Sequence, residues 1–145
     1  MNHSNPWKSY REVATQTAPR GQLVLMLFDG ALRFLDRALT GFTKDDPAEF
    51  NQTISNNVIR AQDIISELNQ SLNLEAGGEL AVHLRRVYDY LDYRLLQSNL
   101  KKETSGIHEA IERLTVLRDA WATMLSSQAM VTLPSNSPIS ELTAA

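Results

Sequence analysis

Apolar side chains recur at helical spacing along four stretches of the chain. From about Pro19 to Thr40 the main stripe is Phe28, Leu32, Leu35, Leu39 and, just beyond, Phe42. Pro19 suits a first helical turn, where its missing N–H costs nothing. The second stretch opens at Asp45-Asp46-Pro47, an acidic cap ahead of a proline. It runs through Phe50, Ile54, Val58, Ala61, Ile65, Leu68 and Leu72 at steps of 4, 4, 3, 4, 3 and 4. After a loop at Asn73 to Gly78, Leu80, Leu84, Val87, Leu91 and Leu95 step by 4, 3, 4 and 4, and the pattern fades near Asn99. The set Ile107, Ile111, Leu114, Leu117, Trp121 and Leu125 predicts a fourth helix starting at Thr104 or Ser105.

Prolines at 6, 19, 47, 134 and 138 leave residues 48 to 133 free of them, as long helices require. Gly41, Gly77, Gly78 and Gly106 fall between the periodic stretches, and only Gly30 sits well inside one, where close helix packing explains it. Short connections make successive helices neighbours, so the expected fold is an all-α, antiparallel up-down four-helix bundle. Ser9 to Thr17 reads as a short N-terminal helix or clasp, and the polar chain from Ser126 as a disordered C-terminal tail. The expected division is residues 1–18, 19–125 and 126–145.

Two helices carry more apolar surface than one core can take. Leu23-Val24-Leu25-Met26-Leu27-Phe28 is six apolar residues in a row, which at about 100° per residue encircle the helix. On the third helix the core stripe clusters near about 340°, taking Leu84 as zero. Val82, Tyr93, Leu96 and Leu100 fall between about 120° and 180°. Arg86 and Asp89 interrupt this second row, and Tyr88, Tyr90 and Tyr93 add rings that are apolar in body and polar at the tip, a make-up common at interfaces. Either the N-terminal clasp or a second copy of the chain buries the surplus, or another protein does.

Composition narrows the chemistry. The 145 residues carry a formal charge of −3 from 14 basic and 17 acidic side chains, which gives no reason to expect a nucleic-acid partner. With no cysteine there is no disulfide, zinc-thiolate site or thiol nucleophile, in keeping with a reducing cytoplasm. The N-terminus lacks the apolar run of a secretory signal, and no run is long enough for membrane insertion. Three histidines, at 3, 83 and 108, do not form the paired Glu-x-x-His motifs of a di-iron bundle, so neither a metal nor another cofactor is expected. No phosphate loop or nucleophile elbow appears, and an enzyme is not expected. Asp29 and Arg33, Arg85 and Asp89, and Glu109 and Arg113 are spaced as ordinary i,i+4 helix pairs.

Several segments, taken in order, resemble one known family. They are Ala14 to Pro19, Leu25 to Leu35, Ala61 to Leu68, Ser71-Leu72-Asn73, Gly77 to Ala81, Leu84, Tyr88 to Leu91, Arg94-Leu95, Asn99, and Leu117 to Trp121. Together they resemble the flagellar secretion chaperone FliS family over about residues 7 to 125. Ala18 stands where that family often has Ser, so the first long helix should start weaker by about 1 kcal/mol unless Thr17 substitutes as cap. Arg20 stands where an acidic residue is frequent.

The resemblance implies a cytoplasmic type III export chaperone without catalytic activity. Its client would be the C-terminal segment of flagellin, kept from premature polymerisation, and flagellar export gate components would be further partners. By the same resemblance the region around Tyr10 belongs to the client-binding surface as a flap, with Trp7 and Val13 as its other apolar residues. Leu25, Met26, Tyr90, Tyr93, Leu96 and Leu100 are added because they point away from the core stripes. The chain would act as monomer or homodimer. The alternative is a homodimeric structural adaptor without a flagellin client.

Overall fold

The computed structural model describes residues 20–132, with side chains placed through residue 127. Trp7, Tyr10, Val13, the Ala18 helix start and residues 133–145 of the expected tail therefore lie outside the described residues. Among those described there are four α-helices and no strand: α1 Arg20–Gly41, α2 Pro47–Gln70, α3 Leu74–Lys101 and α4 Ser105–Thr132.

The starts of α2 and α3 and the end of α3 have local causes. Asp46 caps α2: its carboxylate accepts the Glu49 N–H at 3.0 Å, and Pro47 follows in the first turn. Asn73 caps α3 in the same way, accepting the Ala76 N–H at 3.0 Å. The segment expected as loop up to Gly78 is thus already a helical turn, and the break comes at Gly78 itself, with φ 56° and ψ −134°, a conformation that suits glycine. Lys102 ends α3 in the left-handed conformation, φ 55°. Its ammonium donates to the backbone carbonyl of Asn99 at 2.7 Å, to that residue's Oδ1 at 2.6 Å and to Ser55 Oγ at 3.1 Å. Partial burial pulls the Lys102 pKa below its ordinary value.

The chain divides into two compact units, Met1–Thr115 and Val116–Ala145. In the first, successive helices run antiparallel. Between α1 and α2, Arg60 lies 5.8 Å from the Phe34 ring, Gly30 faces Ile64, Gly41 faces Ile54, and the Phe42 and Phe50 rings meet edge-on at 5.6 Å beside the turn. Between α2 and α3, Ser55 bonds Asn99, Gln62 bonds Asp92, and Asn69 bonds Asp89 and Arg85. Between α3 and α4, Ser98 bonds Gly106, and Glu109 takes Arg94 and Tyr90. In every pair one number rises as the other falls, which is the up-down order expected. In the second unit the described residues continue α4 to Thr132, past the last stripe residue Leu125, with Val116 and Met124 exposed.

The core holds Leu27, Phe28, Ala31, Phe34, Leu35 and Ala38 of α1 against Ile54, Val58, Ala61, Ile64, Ile65 and Leu68 of α2. Ala81, Tyr88, Leu91 and Leu95 of α3 and Ile107, Ala110 and Leu114 of α4 are also buried. Two expectations change. Leu32 and Leu39 of α1, and Phe42 just beyond it, are only half-buried, because the small residues Gly30, Ala31 and Ala38 take the innermost line and let α2 approach. On α3, Leu80 is 67% exposed and Leu84 and Val87 are half-buried. Asn69 already opposes Arg85 and Asp89, and α2 ends at Gln70, so Leu80 stands beyond the end of its neighbour.

Candidate functional site

Because Leu91, Leu95 and Ser98, spaced by four and three, turn one side of α3 inward, residues one or two positions away from them are turned out. Val82, Tyr93, Leu96 and Leu100 form that outward row, with Tyr93 54%, Leu96 46% and Leu100 75% exposed. Tyr90 lies toward the α4 side and is 41% exposed. Tyr88 does not join them: it is buried, and desolvation pushes its hydroxyl from an ordinary pKa of 10.0 up to about 12.

Polar ties frame the row on both sides. Toward α2, the Gln62 amide donates to Asp92 Oδ1 at 3.1 Å and the Asn69 amide to Asp89 Oδ1 at 2.9 Å, while Arg85 donates to Asn69 Oδ1 at 3.2 Å. The expected Arg85 and Asp89 helix pair is thus bridged through Asn69. These ties border an open cleft of about 350 Å3 whose lining includes Ile59, Ile65, Tyr88 and Asp63.

Toward α4, Glu109 is the centre of the frame. Its carboxylate accepts from Arg94 Nε at 2.8 Å, from the Tyr90 hydroxyl at 2.9 Å and from Arg113 Nε at 3.0 Å. The Arg94 hydrogen bond, then Tyr90 and Arg113, hold the Glu109 carboxyl below its usual range against a smaller opposing effect of desolvation. Arg94 is correspondingly held above its own ordinary value by the bond to Glu109. The Arg113 guanidinium also lies 5.4 Å from the centre of the Tyr90 ring.

Tyr90, Tyr93, Leu96 and Leu100 are therefore brought together on one helix. Leu25 and Met26 are on α1 and, like Leu23 and Val24, half-buried, so none of the six consecutive apolar residues at 23 to 28 is fully exposed. Leu80 and Ile59 are exposed apolar residues that periodicity assigned to the core or passed over. The meeting of Glu109 with Tyr90 had only a partial signal in sequence, the i,i+4 spacing of Glu109 and Arg113. What the face offers is contact chemistry: aliphatic side chains and two phenol rings suited to an apolar helix or extended segment. Among the described residues no group of three or more His, Asp or Glu could hold a metal ion, and no helix is long and apolar enough to cross a membrane.

Comparison with known proteins gives a consistent result. The family described as "Flagellar protein FliS" matches residues 3–128. The flagellar secretion chaperone FliS of Bacillus subtilis is 37% identical over 128 residues, covering 88% of this chain and 92% of that protein. The protein of the same name from Salmonella typhimurium is 35% identical, covering 79% of this chain and 85% of its own. That from Escherichia coli is 36% identical, covering 85% and 88%.

Proposed function

The chain belongs to the flagellar protein FliS family, and from that membership we propose that it serves flagellar export by binding the C-terminal segment of flagellin. It is a flagellar secretion chaperone and not an enzyme, as its family is. Flagellin as client rests on one observation above all: α3 carries an exposed apolar row, Tyr93, Leu96 and Leu100, that its own core does not use.

A flagellin terminus has apolar faces meant for other flagellins. Laying it along Tyr90, Tyr93, Leu96 and Leu100 hides those faces and blocks early polymerisation. Trp7, Tyr10 and Val13 supply a flap, and Leu25 and Met26 extend the contact. Ordering the segment consumes roughly 2 to 5 kcal/mol of the gross interaction energy, which keeps the complex releasable. The chaperone works in the cytosol and passes its client to the export gate.

The test is co-purification with flagellin and with flagellin lacking its C-terminal segment, followed by calorimetry with the segment as a peptide. Expected are retention of the intact form only, one-to-one stoichiometry, and a negative heat-capacity change from apolar burial. Equal retention of the truncated form, or a constant homodimer that excludes the peptide, overturns the reading.

A further inference from the structure

We infer that Glu109 is a positioning residue for the α3 face, fixing the Tyr90 ring as a preorganised anchor for the segment that docks there. The inference rests on the client reading above. An α3–α4 tie is already supplied by the Arg94 and Glu109 pair at 2.8 Å. Two further contacts converge on one ring: the Tyr90 hydroxyl donates to both Glu109 oxygens at 2.9 and 3.1 Å, and Arg113 covers the ring at 5.4 Å. Arg113 is itself aimed by its own bond to Glu109, at 3.0 Å. One carboxylate therefore sets the hydroxyl end of the ring and the cation above it.

The ring nonetheless stays 41% exposed, so these contacts orient it without hiding it. A side chain that turns freely must be immobilised when a partner docks, at a loss of roughly three- to tenfold in affinity. Tyrosine held in advance avoids that loss, which suits an aromatic anchor at an interface.

Calorimetry of the full chain against the flagellin C-terminal peptide tests this, using Glu109→Ala, Tyr90→Phe, the double variant and Ser98→Ala, with a melting curve for each. Glu109→Ala and Tyr90→Phe should each weaken binding roughly three- to tenfold, and the double variant no more than the stronger single one. Ser98→Ala, which loosens the α3–α4 corner by removing the bond to Gly106 but leaves the contacts of Tyr90, should bind within about twofold of the unaltered chain. Independent, additive losses, or equal loss in Ser98→Ala, would show a merely structural Glu109 and overturn the inference. Tyr90→Phe keeps the ring, so it decides the matter where Glu109→Ala melts early: undiminished binding there also overturns it. Failure of the unaltered chain to bind the peptide overturns the client reading itself, whereas normal binding by both the unaltered chain and Glu109→Ala overturns this inference alone.

Discussion

The hydroxyl of Ser98, 1% exposed near the end of α3, accepts the backbone N–H of Gly106 at 2.9 Å in the first turn of α4. That N–H has no partner within its own helix, so a side chain from the preceding helix satisfies it. A Cβ on Gly106 would collide with Ser98 Oγ and come within 2.7 Å of the Arg94 carbonyl.

Ser98→Ala and Gly106→Ala should therefore both destabilise the α3–α4 corner. The first strands a buried donor, at about 1–3 kcal/mol, and the second forces the helices apart at a comparable cost. Urea unfolding of each variant gives the values. Combined losses well below the sum would fit two lesions of one contact.

Two helical glycines on α1 should respond differently. A Cβ on Gly30 would meet only the flexible tip of Ile64 at 3.3 Å, and the gain in helix propensity offsets the crowding. A Cβ on Gly41 would lie 3.0 Å from the Ile54 backbone nitrogen and 2.8 Å from its Cγ1. Gly30→Ala should change stability by under about 1 kcal/mol, while Gly41→Ala should lose about 1–3 kcal/mol.

Tyr88 sets an alkaline limit. Burial raises its pKa from 10.0 to about 12, so the folded chain holds the proton after the unfolded chain has released it. The resulting stability is fully present below pH 10.0 and is lost as the pH rises toward about 12. Urea midpoints for the native chain should fall between about pH 9 and about pH 11 more steeply than for Tyr88→Phe. Parallel curves would mean that the hydroxyl is hydrated in the folded state.

The two sides of α3 should separate binding from folding. Tyr93→Glu or Leu96→Glu should weaken capture of the flagellin peptide while moving the melting temperature little, because both side chains are about half exposed. Leu91→Ala should lose roughly 2–5 kcal/mol of stability, and Leu84→Ala less, since Leu84 is only half-buried. A collapse of melting in Leu96→Glu would put that residue in the core.

Periodicity was enough to locate the four helices, the Asp46-Pro47 start, the Ser105 start and the outward row at 82, 93, 96 and 100, because each depends on spacing within one segment. What it could not show depends on a second helix. Leu80 carries the right helical angle for burial, yet α2 stops short of it. Ala31 and Ala38 lie innermost on α1, although a stripe chosen by size favours Leu32 and Leu39. Glu109 looks like half of a surface pair with Arg113, and its bonds to Tyr90 and Arg94 arise only when α4 folds back on α3. The flap residues Trp7, Tyr10 and Val13 lie outside the described residues, so their role rests on resemblance.

Leu91 and Leu95 are sealed completely, while Tyr93, Leu96 and Leu100 on the opposite side of the same helix stay open. The interior packing of α3 therefore does not depend on what sits against its other side, and covering or uncovering that side leaves the fold standing.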